Sequence, residues 1–227
     1  MTQCLEHALS LLVSRQKKLS ISLKTLNTQR LVPFKDYTTN TVVSTPLQIA
    51  DGTIIVFDET RMREGGLNAT GTANARALQE IVDKQQVQYD FQYYQLPMPM
   101  DAPSIVLSTT KSIIGGSIVI PLRSRRDCSV NLLHEFASDE LDDLRNYLLV
   151  SRACDATVVD EKTSNQIQSD IVAARGNDKS LTPDTLHTWM TLSRLMALSY
   201  GCEKIELEHW NLVRGLERQR EERNRVM

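Results

Sequence analysis

Gly52-Thr-Ile-Ile-Val-Phe-Asp-Glu59 is the stretch of this 227-residue sequence that decides its fold. Its central residues, 54–57, are all apolar and all β-branched or aromatic, and the turn-forming pair Asp51-Gly52 leads into them. An unbroken apolar run bounded in this way is typical of a strand buried on both faces, as the inner strands of parallel sheets are. The stretch therefore predicts the centre of an α/β sheet.

The residues that follow this run predict further strands and one helix. Apolar side chains at helical spacing predict a helix over 72–84, and alternating apolar and polar residues predict a half-exposed strand over 86–95. The segment 96–100, Leu-Pro-Met-Pro-Met, cannot continue that strand inside a sheet, because each proline removes a hydrogen-bond donor. Two short apolar runs, 105–107 and 118–120, predict two more buried strands.

Upstream of the central run, the chain predicts one docked helix and a long loop. Residues 2–16 carry an apolar stripe near helical spacing, which a lone helix could not bury, so this segment must pack on something. Residues 29–50 mix prolines and threonines with short apolar pairs and predict a loop with one short strand.

After about residue 137 the pattern becomes helical. Ser138 is suited to cap one helix, and a second helix is predicted over about 159–174. Thr182-Pro183-Asp184 supplies a cap, a first-turn proline and a first-turn acid, and Gly201 is a plausible left-handed stop for that helix. A last helix is predicted from about Glu206 into the charged tail.

The predicted fold class is therefore α/β, with a partial parallel sheet and its helices followed by a C-terminal helical bundle. We place the α/β domain at residues 1–136 and the helical domain at residues 137–227.

Composition narrows the classes of function. The formal net charge is −2, so the chain lacks the electrostatic attraction to phosphates that dedicated nucleic-acid binders show, and we expect the main partner to be a protein. No stretch is long and apolar enough to span a membrane, and residues 1–20 do not have the pattern of a secretory signal, which favours an intracellular protein. The cysteines stand far apart with no C-x-x-C pair, so we expect reduced thiols and no metal site; they are Cys4, Cys128, Cys154 and Cys202.

Several separated motifs, in order, resemble known families. The run at 52–62, a following helix, the aromatic hairpin at 89–94 and the run at 104–108 match the order of Walker B strand, helix, presensor hairpin and sensor-1 strand in an MCM-type AAA+ module. Four more specific motifs are Val-x-Tyr-Asp-Phe-x-Tyr at 87–93, Leu-Val-Pro-Phe-Lys-Asp-Tyr at 31–37, Leu-Thr-Pro-Asp-Thr-Leu-His at 181–187 and Glu-His-Trp at 208–210. These motifs resemble the MCM-binding protein family.

The resemblance implies a degenerate AAA+-like core whose C-terminal bundle is lid-like. It also implies MCM helicase subunits as partners, residence in the nucleus, and a role in helicase assembly or unloading during DNA replication and in sister-chromatid cohesion. Proteins of this family are longer at the N-terminus, so the chain is expected to be a C-terminal portion or a shortened relative.

The catalytic positions of an AAA+ ATPase are degenerate in this sequence. Asp58 and Glu59 match the Walker B pair, but no glycine is followed by lysine, so the phosphate-binding loop G-x-x-x-x-G-K-[ST] has no counterpart. Ser108-Thr109 stands where MCM subunits carry the sensor-1 asparagine, and Asp184 stands at the sensor-2 arginine. We therefore expect Asp58 and Glu59 to be inactive, no cofactor to bind and the chain not to be an enzyme.

Three further expectations concern arginine, aromatic and tryptophan residues. The arginine-finger motif has at best a remnant at 123–127, where Arg125 or Arg126 could serve in trans, although a solvated basic loop is favoured. The aromatic residues of 89–94 could stack on nucleic-acid bases, but packing within the sheet is favoured because Asp90 is acidic and no lysine lies nearby. Trp189 and Trp210 are expected to be buried, with the partner surface on loops and the presensor hairpin.

Two alternatives stay open at this stage. The first is a fragment of an active MCM-type AAA+ ATPase or helicase whose phosphate loop lies outside this chain; it predicts magnesium-dependent ATP binding once the upstream chain is restored. The second is a DNA-binding module in the helical bundle; it predicts duplex binding with a steep dependence on salt.

Overall fold

The computed structural model describes residues 2–122, 138–154, 158–177 and 182–225. The chain divides into two compact units, Met1–Ile118 and Val119–Met227, and each is described by itself. The predicted domain boundary at 136/137 falls outside the described residues and stays a prediction. The architecture is mixed α/β, with a parallel sheet and a C-terminal helical region, which confirms the predicted fold class at this level.

The first unit contains three helices and seven strands among its described residues. They are α1 (Thr2–Leu12), β1 (Gln16–Ser20), α2 (Leu23–Thr28), β2 (Phe34–Asp36), β3 (Thr41–Val43), β4 (Ile54–Asp58), α3 (Ala69–Lys84), β5 (Gln86–Asp90), β6 (Gln95–Pro99) and β7 (Ser104–Leu107).

A three-stranded parallel sheet with the order β1-β4-β7 forms the centre of this unit. Val56 of β4 lies between Lys18 of β1 and Ile105 of β7 in register. The side chains of residues 55–58 are buried, so the prediction of an inner strand is confirmed. The predicted strand at 105–107 is also present, but its side chains are only half-buried because β7 lies at the edge of the sheet. The predicted helix over 2–16 ends at Leu12, and the residues after it form β1 instead.

A second sheet has the order β3-β2-β5-β6. The predicted strand over 86–95 is correct only as far as Asp90, because Gln92 adopts a left-handed φ of 66° and turns the chain back into β6. β6 is an edge strand, as the prolines require. Met100 N donates to Gln85 O, so the backbone N–H groups of the even-numbered residues of β6, such as Met98, point toward β5. The backbone nitrogens of Pro97 and Pro99 point to the open edge instead, where no hydrogen-bond donor is needed.

The core of the first unit lies between α3 and the sheets. Phe57, Leu78 and Ile81 are fully buried in it. The predicted helix over 72–84 is confirmed, and it begins three residues earlier because the Asn68 side chain accepts a hydrogen bond from Gly71 N as the N-cap.

Two predictions for this part of the chain are wrong. The run 118–120 forms no strand and its side chains are exposed, because no described strand pairs with it. The segment 29–50 contains two short strands and not one, since β2 and β3 pair with each other antiparallel.

The second unit is mainly helical. Its described elements are α4 (Ser138–Ala153), β8 (Val158–Val159), α5 (Glu161–Asn177), α6 (Pro183–Ser199), β9 (Lys204–Ile205) and α7 (Leu207–Arg225). The predicted start of α6 is confirmed, because Thr182 Oγ accepts from Thr185 N and Pro183 opens the first turn. Gly201 has a φ of 71°, as a left-handed helix stop requires.

Two tryptophans form the core of the second unit. Trp189 of α6 and Trp210 of α7 meet edge to face with ring centroids 6.2 Å apart, packed with Ile167 and Leu186. Trp189 is 5% exposed and Trp210 is 0% exposed, which confirms that both are buried. The short parallel pair β8-β9 was not predicted, since two-residue strands leave no periodicity in sequence.

Candidate functional site

Asp58 lies at the carboxyl end of β4, the position that the sequence assigned to the Walker B aspartate. Its Oδ1 accepts hydrogen bonds from Thr60 N at 3.1 Å and Thr60 Oγ1 at 2.5 Å, and its Oδ2 lies 3.6 Å from Lys18 Nζ. Burial raises the pKa of this carboxyl group, but the Thr60 hydrogen bonds and the Lys18 charge outweigh burial, so the pKa lies below its ordinary value. Asp58 is therefore an ionised, internally bonded carboxylate.

Glu59 is buried against the loop that follows β7. Its Oε1 accepts from Ile114 N at 3.2 Å, and its backbone N–H donates to Leu107 O at 2.8 Å. The residue is 2% exposed. Glu59 thus ties β4 to the residues after β7, which is a structural use of the side chain.

Lys18 links the buried aspartate to helix α1. Its ammonium group donates to Glu6 Oε2 at 2.9 Å and faces Asp58 from β1. The hydrogen bond to Glu6 raises the pKa of Lys18, against a smaller opposing effect of burial, and the two carboxylate charges add to the rise. The Lys18–Glu6 ion pair holds α1 next to β1, but none of the described α1 side chains is buried.

The connection beside Asp58 is not built to hold a phosphate. β1 and α2 are joined by Ile21 and Ser22 only; Ile21 is buried, and Ser22 Oγ accepts from Thr25 N as the cap of α2. A phosphate cradle needs several free backbone N–H groups, usually presented by glycines. The structure brings Asp58 and Glu59 together at one strand end, where both side chains accept hydrogen bonds from within the chain.

The other sequence-assigned positions are dispersed. Ser108 and Thr109 follow β7 and are exposed, and Asp184 is an exposed residue in the first turn of α6, where it stabilises the helix N-terminus. Arg123–Asp127, including Arg125 and Arg126, lies outside the described residues. Within the part of the chain that the structure describes, no group of three or more His, Cys, Asp or Glu residues could hold a metal ion.

An exposed group of rings, which we call the aromatic cluster, lies where β2 ends and β5 turns into β6. It consists of Tyr37, Phe91, Tyr93 and Tyr94. Tyr37 and Tyr93 meet edge to face at 5.9 Å, Phe91 and Tyr94 stack at 5.0 Å, and Tyr37 Oη donates to Phe91 O at 2.8 Å. These contacts hold the rings of two chain segments together.

The prediction that the aromatic residues of 89–94 pack within the sheet is wrong for Tyr93 and Tyr94. Tyr93 is 81% exposed and Tyr94 is 58% exposed, because both lie in or next to the tight turn and beyond the core-facing side of β5; only Tyr89 packs on the core. The alternation of apolar and polar residues that predicted packing applies only as far as Asp90, where β5 ends. The turn at Gln92 could not be predicted, because glutamine is not a typical turn residue.

Two of the charged groups around the aromatic cluster neutralise each other: Arg30 pairs with Asp90 and also stacks on the Phe34 ring at 3.9 Å. Lys35 keeps its charge, because it donates to a neutral carbonyl oxygen, Asn40 O. Burial raises the pKa of the Tyr37 hydroxyl, and the neighbouring Tyr94, Tyr93 and Asp90 raise it further. The rings of the cluster are therefore uncharged and amphipathic, which suits a protein partner better than a phosphate backbone.

Among the described helices, none has both the length and the apolar character that crossing a membrane requires.

The fold and these sites define a mixed α/β protein with a helical C-terminal region, a buried acidic pair and an exposed aromatic surface. Comparison with known proteins gives the family: the model of the mini-chromosome maintenance replisome factor family matches residues 1–224, and the chain belongs to that family.

Relatives from distant organisms are similar over nearly the whole chain. Mini-chromosome maintenance complex-binding proteins of Dictyostelium discoideum and Arabidopsis thaliana are 33% and 36% identical over 96% of this chain, which covers 32% and 37% of their lengths. The protein of that name from Danio rerio is 34% identical over 95% of the chain and 35% of its own length. The chain thus spans about a third of the length of the curated relatives it matches.

Proposed function

We propose that this chain is a non-catalytic interaction module that binds subunits of the MCM complex. The observation that carries the proposal is the family: its relatives are named as proteins that bind this complex, and the matched region covers almost all of the chain. The chain spans about a third of the length of these relatives, so binding of their partner by this chain is part of the proposal.

The state of the acidic pair supports a non-catalytic role. In an AAA+ ATPase the aspartate holds Mg²⁺ and the glutamate orients a water molecule. Here Asp58 bonds Thr60 and faces Lys18, while Glu59 bonds Ile114 N. Nothing in the geometry favours the alternative of an ATPase fragment, since β1 and its short connection to α2 stand beside β4 without a phosphate cradle.

We propose the aromatic cluster as the partner-binding surface of the first unit. Tyrosine contributes a large contact area at low entropic cost, and tyrosines are enriched among the residues that dominate binding energy. The cluster is already ordered by its ring contacts and by the Tyr37 hydrogen bond, so binding would lose little conformational freedom.

We also propose a likeness to the AAA+ fold and a role in the cell. The order β4, α3, β5-β6 hairpin, β7, with Asp58 at the end of β4, supports a degenerate AAA+-like core with a lid-like bundle. We further propose nuclear residence and a role in assembling or unloading the MCM helicase during DNA replication, with an effect on sister-chromatid cohesion.

The experiment that tests this function measures binding of the chain to each purified MCM subunit by calorimetry. At least one subunit should bind, and Tyr93→Ser with Tyr94→Ser should weaken that binding at least about tenfold, equivalent to about 1.4 kcal/mol. Tyr200→Ser is the matched control, because Tyr200 is 64% exposed in the second unit. Binding to no subunit would contradict the function, and equal losses in both variants would contradict the assignment of the surface.

A further inference from the structure

Three chain segments leave the same end of the parallel sheet in the first unit. β1, β4 and β7 are in register, with Asp58 paired to Ser20 on one side and to Leu107 on the other. Neighbouring strands lie about 4.8 Å apart, so the segments that follow these residues start within about 10 Å of each other. The segments are residues 21–28, 59–68 and 108–118.

Hydrogen bonds hold the three segments against one another. Ile114 N donates to Glu59 Oε1 at 3.2 Å, which fixes the segment after β7 on the segment after β4. Asn27 Nδ2 donates to Gly66 O at 3.1 Å, and Asn68 N donates to Asn27 Oδ1 at 3.0 Å. These two bonds fix the segment after β1 on the same neighbour. The three segments therefore form one continuous surface.

The exposed charges of this surface are mainly positive. Each segment carries an exposed lysine or arginine within four residues of the end of its strand. We call the exposed cations of the three segments the basic rim; they are Lys24, Arg61, Arg63 and Lys111. Glu64 is the one exposed acid in these segments, all of whose residues the structure describes.

The two carboxylates beneath the basic rim do not cancel its charge. Asp58 faces Lys18 at 3.6 Å, so these two charges offset each other. Glu59 is 2% exposed and accepts from Ile114 N. With Glu59 and Glu64 counted, four positive charges stand against two negative ones, in a chain whose formal net charge is −2. The basic rim is therefore a local positive surface on a weakly acidic protein.

The surroundings of the basic rim suit an acidic peptide better than a nucleic acid. The three segments contain no aromatic residue on which a base could stack. The net negative charge of the chain also weakens its attraction to a phosphate backbone. Ile113, two residues after Lys111, is 38% exposed and offers an apolar contact within the positive surface.

We propose that the basic rim binds an acidic, extended segment of a partner protein that carries an apolar residue among its carboxylates. Arginine and lysine donate charge-assisted hydrogen bonds to carboxylates, and complementary charge steers the encounter of two proteins. An extended peptide of eight residues spans about 26 Å, which is longer than the spacing of the three strand ends. The inference is independent of the proposed function, because it uses none of the aromatic cluster and commits to the chemistry of the partner.

Fluorescence anisotropy of a labelled peptide tests this inference on the full chain. The probe is Glu-Asp-Glu-Leu-Asp-Glu-Asp-Gly carrying fluorescein, and its control is the same peptide with every acid replaced by its amide. We expect the acidic peptide to bind with a dissociation constant below about 100 µM at about 10 mM ionic strength. Binding should weaken at least about tenfold at about 150 mM, because the Debye length falls from about 30 Å to about 8 Å. The amide peptide should not bind.

Variants decide whether the basic rim is responsible. Arg61→Gln with Arg63→Gln should weaken binding at least about fivefold. Arg218→Gln with Arg223→Gln is the matched control, since it removes two charges from exposed arginines of α7 and should change the affinity less than about twofold. If the first variant loses helical circular dichroism, Lys24→Gln with Lys111→Gln replaces it with the same expectation. Tyr93→Ser with Tyr94→Ser should bind the peptide normally, which separates this surface from the aromatic cluster.

Four outcomes would overturn the inference. They are no binding of the acidic peptide, equal binding of the amide peptide, equal losses in the rim variant and the α7 control, and tighter binding of a labelled 20-nucleotide oligothymidine. The last outcome would assign the basic rim to a phosphate backbone.

Discussion

The ammonium group of Lys18 lies 3.6 Å from the buried carboxylate of Asp58, joining the edge strand β1 to the end of the central strand β4. Lys18 is also bonded to Glu6 of α1. The Asp58 carboxylate therefore faces a fixed positive charge of the chain itself. That charge and the Thr60 hydrogen bonds keep Asp58 ionised without a metal ion.

We expect stability to depend on Asp58 most at neutral pH. Asp58→Ala should lower the free energy of unfolding by about 1–3 kcal/mol at pH 7, because Thr60 and Lys18 lose a buried acceptor. The pKa of Asp58 lies below its ordinary value, so its contribution is present above about pH 4 and is lost as the pH falls through the lowered pKa. Urea denaturation at pH 7 and pH 2–3, followed by circular dichroism, should show the two proteins converging in acid.

Asp83→Asn, at an exposed position of α3, is the control for that series. It should stay within about 0.5 kcal/mol of the starting protein at pH 7. A difference between Asp58→Ala and the starting protein that persists unchanged in acid would show that the loss is steric and not electrostatic.

We expect the chain to bind ATP no better than an unrelated control protein. No glycine is followed by lysine in the sequence, and the connection after β1 has two residues, one of them buried. Calorimetry with Mg²⁺ and ATP checks this. Micromolar affinity that disappears in Asp58→Ala would contradict it.

We expect the acidic pair to be dispensable for partner binding. Asp58→Asn with Glu59→Gln retains the acceptor oxygens that Thr60 and Ile114 use, so the fold should survive and the affinity for an MCM subunit should change less than about threefold. Loss of binding at an unchanged melting temperature would place the pair in the interface.

Gly71 should tolerate no side chain, although it lies inside helix α3. A Cβ atom there would come within 2.1 Å of Asn27 Oδ1, and Asn27 is held by Asn68 N and Gly66 O. Gly71→Ala should therefore destabilise the first unit by about 1–3 kcal/mol. Gly215→Ala on α7 is the control: nothing lies within 4 Å of its added Cβ, so it should stabilise the second unit by about 0.5–1 kcal/mol. Equal effects of the two changes in urea denaturation would contradict the packing described here.

The sequence predicts those elements whose burial is visible as a local pattern. β4 and β7 are continuous apolar runs, and α6 has its cap, proline and first-turn acid in order. β1 was missed because Gln-Lys-Lys-Leu-Ser at 16–20 is polar; its lysines are satisfied by Glu6, Asp58 and the Pro46 carbonyl, which are distant in sequence. Hydrogen bonds to residues that are distant in sequence produce no periodic pattern of apolar and polar residues within the strand itself.

In the candidate sites, too, features with a local sequence motif could be predicted and features that depend on the three-dimensional structure could not. The inactivity of the acidic pair is a prediction from sequence alone, because the phosphate loop on which it depends is a local motif. The exposure of Tyr93 does not, since one left-handed residue, Gln92, ends the alternation without a glycine or Asn-Gly signal. The edge-to-face contact of Trp189 and Trp210 depends on how α6 and α7 pack, which only the structure gives.

The two tryptophans should differ in how they tolerate replacement by phenylalanine. Trp189→Ala should cost about 3–5 kcal/mol, since it removes a buried ring from the core of the second unit. Trp189→Phe removes an N–H that has no acceptor among the described residues, whereas Trp210→Phe deprives Asp170 Oδ2 of a donor at 2.9 Å. Trp210→Phe should therefore be the more destabilising by about 1–3 kcal/mol.

Each phenylalanine variant keeps a single tryptophan, so urea denaturation followed by its fluorescence reports the second unit directly. Emission should be blue-shifted in both variants and unaffected by ATP, because without nucleotide binding no ligand distinguishes two positions of the bundle. Equal stability of the two variants would show that Asp170 finds another donor, and red-shifted emission that moves with ATP would contradict a fixed bundle.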